Sequence, residues 1–279
     1  MKFAMLDGNR IEATKGAVGT CQVCTSPLVA KCGEVRLHHW AHKTKINCDH
    51  WWENETEWHR NWKGKFPTEW QEIIHFAHNG DKHIADVKTN LNWVLEFQHS
   101  HIDPVERRAR NDFYKKLCWV VDGMRRKNDK AKFDKAIADS EMVLPKFEVS
   151  KLRRPRDCRI ITEWQDETSL VFLDFQDPNS NMNNRDLWLL FPKFPNGEVY
   201  VAPMPRTDFV ELHKNGQFDH LRERIIQIIR WLLGERVQTV PIQVPLNLVQ
   251  LLFPNRRQVQ PRNLDRRTVN RYPPGRIRF

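Results

Sequence analysis

Cysteine and histidine are crowded into the front of this 279-residue chain, and that crowding restricts its fold more than any other feature. Cys21, Cys24, Cys32 and Cys48 fall within the first 50 residues, and ten of the twelve histidines lie at or before His101. A stretch of that size is too small to build a sufficient hydrophobic core alone, so a bound ion is an economical way to fix it. Cys21-Gln-Val-Cys24 followed by His39-Trp-Ala-His42 gives C-x2-C-x14-H-x2-H. Two cysteines on a tight knuckle aim both thiolates at one point, and a paired histidine motif completes a tetrahedral set. The spacing predicts a structural Zn²⁺ held by Cys21, Cys24, His39 and His42. Cys48 or His38 is an alternative ligand, and Cys32 is the least suited. Reduced cysteines and surface histidines are the competing reading.

No apolar run approaches the roughly 18 residues of a membrane span. Met1 to Asp7 meets charge too early for a secretory core. The chain therefore reads as soluble and cytoplasmic, where six cysteines are thiols or ligands and not a disulfide framework.

Local pattern divides the chain into four parts. Over 1–50, a hairpin at Phe3–Leu6 and Asn9–Ala13 turns on Asp7-Gly8, a pair that supplies positive φ angles, and leads into the Cys/His module. Over 51–144, a helix from Asn54 to Phe66 is followed by strands at Trp70–His78, His83–Lys88 and Trp93–His99. Asp103 caps a helix with Pro104 in its first position, and Leu117–Val121 is a buried apolar strand. This is an αβββαβ order, with a Lys-rich helix near 128–140 after it. Over 145–253, strands at Arg159–Trp164, Leu170–Phe175, Leu187–Phe191 and Val199–Pro203 and a helix at Leu221–Leu233 suggest a second α+β domain, a possible surface for a protein partner. Residues 254–279 form a basic tail. The formal net charge is +10, and the tail's eight arginines against one aspartate supply most of it. Such a tail is either a solvated extension or a first contact for a polyanion.

Asp86 and Glu96 sit on consecutive strands joined by a short turn, and Gln98 shares the face of Glu96 by the two-residue period. Two hard oxygen ligands beside a polar side chain suit Mg²⁺ or Mn²⁺, which can activate water and stabilise charge on a phosphodiester. Glu57 on the preceding helix offers a third acid, with Glu53 as its rival. Exposed, solvating carboxylates are the plainer reading of the same spacing.

Taken together, Cys21-x2-Cys24, His39-Trp-Ala-His42, Glu57-Trp-His59 with Lys63, His83-Ile-Ala-Asp86-Val and Glu96-Phe-Gln-His-Ser100 resemble the competence protein CoiA-like family. Arg107-Arg-Ala-Arg-Asn111, Tyr114 and Trp119-Val-Val-Asp122 extend the resemblance, which covers about residues 1–125. That family's central domain belongs to the PD-(D/E)XK nuclease superfamily. The resemblance implies a catalytic set of Glu57, Asp86, Glu96 and Gln98, with Mg²⁺ or Mn²⁺ on Asp86 and Glu96. It also implies phosphate contacts or proton transfer by His59, His83 and His99, and backbone contacts by Arg108 and Tyr114. Gln98 stands where the superfamily most often has lysine; glutamine can orient a water but supplies neither charge nor base. The implied activity is cleavage of DNA in competence, recombination or defence against foreign DNA. A non-catalytic, zinc-containing DNA-binding accessory protein is the alternative.

Overall fold

The computed structural model describes residues 1–34, 36–44, 48, 51, 55–76, 80, 82–165, 169–175 and 187–235. The expected tail at 254–279, the rival acid Glu53 and His78, the expected end of the first core strand, lie outside the described residues. Residues Met1–Gln238 make one unit, and Thr239–Phe279 a second that falls outside the described residues. No helix among the described residues is long and apolar enough to cross a membrane.

The front of the chain is a five-stranded antiparallel sheet of β1 (Phe3–Leu6), β2 (Asn9–Glu12), β3 (Val18–Thr20), β4 (Pro27–Lys31) and β5 (His39–His42), in the order β2-β1-β3-β4-β5. Asp7 and Gly8 take φ of 48° and 79°, the left-handed pair that closes a tight hairpin. A small core of Met1, Ala4, Leu28 and Trp40 fills the sheet's curl, with Cys21 and Val23 at its edge.

The expected helix–three strands–helix–strand order follows: α1 (Glu57–Lys63), β6 (Gln71–Phe76), β7 (Lys82–Lys88), β8 (Val94–Gln98), α2 (Pro104–Phe113) and β9 (Leu117–Asp122). α1 ends at Lys63, short of the expected helix end at Phe66, and gives way to a 3-10 turn at Thr68–Trp70. Thr56 caps it, its hydroxyl accepting from the His59 N–H, and Asp103 caps α2 through Val105 N–H.

Beyond β9 come α3 (Asp129–Ala138), β10 (Glu141–Leu144), β11 (Val149–Lys151), α4 (Arg159–Trp164), β12 (Leu170–Asp174), β13 (Leu187–Leu190), β14 (Tyr200–Met204), α5 (Arg206–Lys214) and α6 (Phe218–Leu232). The boundary expected near residue 145 does not separate two sheets. β12 pairs in parallel with β9, and one nine-stranded sheet runs β10-β11-β14-β13-β12-β9-β8-β7-β6. Its centre is the parallel trio β8, β9 and β12, whose residues are all buried, as parallel strands covered on both faces require. Tyr114, Phe133, Ile160, Ile161 and Trp164 from the α2–α4 region cover one face. Trp62 of α1, Phe209 of α5 and Phe218 of α6 cover the other, against Phe97 and Phe172.

Arg159–Trp164, expected as a strand, is a helix. Its β-branched Ile160 and Ile161 lie with Trp164 on one buried stripe, and packing outweighs the local β preference. α1 is tied to the far half of the sheet by Asp174, whose side chain is fully buried. Trp58 and Trp62 Nε1 donate to Asp174 Oδ2 at 2.9 and 2.8 Å, and Arg206 pairs with Oδ1 at 2.6 Å.

Candidate functional site

The first site lies in the front sheet. Cys21 follows β3, and its carbonyl accepts from Thr25 N–H while its N–H donates to Ser26 O, closing the knuckle that carries Cys24. Thr25 takes the left-handed φ of 60°. Cys24 Sγ lies 3.2 Å from His42 Nε2, Cys48 Sγ 3.5 Å from the same nitrogen, and Cys21 Sγ 3.7 Å from Cys48 Sγ. All four ligand atoms are within 4.8 Å of one another. A tetrahedral zinc with bonds of about 2.3 Å to sulfur and 2.0–2.1 Å to nitrogen has ligand-to-ligand edges of about 3.8 and 3.6 Å. The Cys21, Cys24, His42 and Cys48 cluster fits that frame.

His39 is not part of it; its Nδ1 lies 2.8 Å from Leu37 O. Residues three apart on a strand point to opposite faces, so His39 and His42 cannot converge on one ion from β5. Cys48, the expected alternative, takes the fourth place. Burial opposes ionisation of Cys24, but hydrogen bonds from Ser26, His42 and Cys21 outweigh it and lower its pKa to about 6. Burial and the neighbouring Cys21 and Cys24 thiolates push Cys48 well up. Three sulfurs this close cannot all ionise without a cation among them.

The second site lies between α1, the β6–β7–β8 strands and α2. Asp86, Glu96 and Gln98 line one cavity of about 60 Å³, together with Glu55, Glu72, His59, Lys63 and Arg110. The antiparallel ladder between β7 and β8 runs from Lys88↔Val94 to Val87↔Leu95 and stops there. At the next position Asp86 Oδ2 accepts from Phe97 N–H at 2.9 Å, so a side chain replaces a ladder bond and the strands part around the cavity. His59 Nε2 lies 2.8 Å from Asp86 Oδ1, and Arg110 Nη1 2.9 Å from Glu96 Oε2. Lys63, only 3 % exposed, lies 2.6 Å from Glu55 and 2.8 Å from Glu72.

Glu72 takes a left-handed φ of 50° within β6, a conformation costing of order 1–3 kcal/mol for a non-glycine residue. The Lys2 and Phe3 N–H groups donate to its carboxylate and join it to the front sheet. Burial raises the Glu72 pKa, but Lys63 and the Lys2 N–H outweigh it and bring it to about 2. Asp86 is also lowered, burial being outweighed by His59, Lys63 and the Phe97 N–H. Lys63 is raised: burial opposes its charge, and Glu72, Asp86 and Glu55 overcome it.

Several expected residues lie elsewhere. Glu57 is exposed in the first turn of α1 and lines a different groove; the acid from this region in the cavity is Glu55, before the cap. Arg108 is exposed, whereas Arg110, two residues on along α2, is buried against Glu96. Tyr114 is core, in edge contact with Phe113, Trp51 and His75. His83 lies on the buried face of β7, its ring stacked on Trp51 at 3.3 Å. His99 lies outside the cavity at the end of β8, its Nδ1 2.6 Å from Asp122 Oδ2. Of the expected set, His59 joins Asp86, Glu96 and Gln98. Lys63 stands one helical turn from His59, and that i, i+4 spacing was the readable signal for it. Glu72 had none.

Hard oxygen donors line the cavity. Four carboxylates face Lys63, Arg110 and a histidine, and Mg²⁺ commonly binds through only one or two carboxylates while keeping its waters. Among the described residues, however, Cys21, Cys24, His42 and Cys48 are the only group of three or more such ligands gathered closely enough to hold an ion.

Fold and sites thus define a module with a Cys3His cluster that could hold a metal ion, joined to a mixed, helix-covered sheet with an acid-lined cavity. Residues 8–50 match the family model described as Competence protein CoiA, N-terminal domain, a stretch containing all four clustered ligands. Comparison with curated proteins and with solved structures gave no match.

Proposed function

We infer that this protein is a divalent-metal-dependent nuclease that hydrolyses phosphodiester bonds in DNA, with a structural zinc in its front module and a competence-related role. The carrying observation is the cavity in which Asp86, Glu96 and Gln98 meet Lys63 and His59, within a helix–three strands–helix–strand order. That order is also the one expected of a PD-(D/E)XK core. The competence setting rests on the match at residues 8–50; defence against foreign DNA is the other setting in which such a nuclease serves.

Asp86 and Glu96 would hold Mg²⁺ or Mn²⁺, which supplies a Lewis acid for the phosphate and lowers the pKa of a bound water. Gln98 orients the attacking water by hydrogen bonding. Lys63 keeps its proton, held there by Glu55, Glu72 and Asp86, so it contributes fixed positive charge and not a base. His59, against Asp86, is positioned to hold a proton beside the reacting centre.

One observation favours the second reading, a DNA-binding accessory protein without catalysis. Asp86 and Glu96 already have His59 and Arg110 against them. Incubation of zinc-loaded protein with circular and linear DNA separates the two. The nuclease reading expects cleavage with Mg²⁺ or Mn²⁺, abolished by Glu96→Ala and Asp86→Ala in proteins that still fold. Binding without cleavage under any divalent metal supports the accessory reading and overturns catalysis.

A further inference from the structure

Ahead of the basic tail, the excess of positive charge is concentrated in one segment. Between Met124 and Arg159 there are 12 Lys and Arg against 6 Asp and Glu, while the rest of the first 255 residues has 25 against 28. α3 buries Phe133 and Ala136 in the core, which turns Lys132 and Lys135 outward. Arg154 and Arg156 rise beside them from the loop and 3-10 turn after β11, both exposed. These four cations, with Asp139 and Asp157, line a groove of about 450 Å³. The Arg154–Asp139 pair, at 2.9 Å, is 61 % and 39 % exposed, so it neutralises the groove only weakly.

The same basic segment meets the chain just past the acid-lined cavity. Gln98, in the cavity wall, donates to Ser100 Oγ at 3.2 Å, and the Arg125 guanidinium donates to Ser100 O. Arg125 and Arg126 meet Glu163 at 3.3 and 2.8 Å, and Arg159 meets it at 2.6 Å. Arg125 thus sets one end of the basic segment beside the cavity wall, and Arg126 and Arg159 gather with it on Glu163.

We propose that the groove of Lys132, Lys135, Arg154 and Arg156 is a phosphate-backbone track for duplex DNA. It rests on the DNA reading above and adds where the duplex is held. Charge complementarity selects the occupant. A protein partner is gripped mainly by aromatic and aliphatic anchors in a desolvated pocket, and among the described residues Ala136 is the only apolar one lining this groove. Arginine and lysine without such anchors match a repeating phosphate array, which positions a duplex without reading its sequence.

The test uses the full zinc-loaded chain and a fluorescent duplex DNA, with no Mg²⁺ or Mn²⁺ added so that substrate stays intact. Affinity is measured against salt for the wild type, for Lys132→Gln, Lys135→Gln, Arg154→Gln and Arg156→Gln combined, and for a control combining Lys15→Gln, Lys31→Gln, Lys214→Gln and Arg230→Gln. All these positions are exposed, and circular dichroism checks that both variants fold. The groove variant is expected to bind at least tenfold more weakly, and its log–log salt slope to fall by about 3 to 4, one counterion for each lost contact. The control should keep the wild-type slope. An unchanged slope in the groove variant, or an equal fall in the control, overturns the track while leaving the nuclease reading intact. Wild type that binds no DNA even at low salt overturns both. Competition by polyglutamate as effective as by DNA reassigns the groove to acidic proteins and overturns the proposal.

Discussion

Replacing Lys63 by methionine keeps the length of a buried side chain and removes its charge. In the native cavity Lys63 Nζ lies 2.6 Å from Glu55 and 2.8 Å from Glu72, with side-chain exposures of 3 %, 9 % and 6 %. At an effective dielectric of ~20, one such pair at that distance attracts by about 6 kcal/mol, much of which only offsets the desolvation of the ions. Removing the cation leaves two carboxylates facing one another in a buried space, a change that costs ~3–5 kcal/mol. A typical domain is stable by only ~5–15 kcal/mol, so the effect is large. Urea unfolding at pH 7, followed by tryptophan fluorescence with buried Trp62 beside the altered residue, should show the midpoint falling by at least ~1 M. Combining Lys63→Met with Glu55→Gln and Glu72→Gln removes the repulsion and should recover at least half of the loss. A single-variant cost below ~1 kcal/mol, or a neutralised triple variant no more stable than the single, refutes the ion-triad account.

Metal analysis distinguishes the zinc ligands: Cys48→Ser should lose bound zinc and melt far below wild type, whereas His39→Ala should retain one zinc per chain. The Glu72 carboxyl is depressed from 4.5 to about 2, so its stabilisation is fully present above about pH 4.5 and is lost as pH falls through about 2. The stability difference between wild type and Glu72→Gln, ~3 kcal/mol near neutrality, should therefore shrink by about 2 kcal/mol between pH 5 and pH 3. Zinc release in acid is common to both proteins and cancels in that difference. Asp174→Ala removes the acceptor of Trp58 and Trp62 and the partner of buried Arg206, and calorimetry should find a loss of at least ~3 kcal/mol.

The elements with local signals were legible in the sequence. Asp7-Gly8 marked its hairpin, Asp103-Pro104 marked the start of α2, and short-turn geometry brought Asp86 and Glu96 to one cavity. Errors arose where the choice depended on which way a side chain turns. The period of β5 separates His39 from His42, the cap at Thr56 divides Glu55 from Glu57, and two residues of α2 rotate Arg108 out and Arg110 in. What depends on distant partners left no local trace. The parallel pairing of β9 with β12 merges two expected domains into one sheet. Glu72 adopts its left-handed backbone where Lys63 and the N–H groups of Lys2 and Phe3 hold its carboxylate. Gly123, just past β9, is needed for a distant contact, since a Cβ there would come within 2.4 Å of the Phe175 ring.

The central claim is that Asp86 and Glu96 form a divalent-cation site distinct from the zinc centre. Titration of zinc-loaded protein with Mn²⁺, read by electron paramagnetic resonance, tests it without depending on substrate. One Mn²⁺ per wild-type chain should bind, and Asp86→Ala and Glu96→Ala should each abolish that binding while zinc content stays constant. Wild type that binds no Mn²⁺, or variants that bind it as tightly as wild type, would contradict the account.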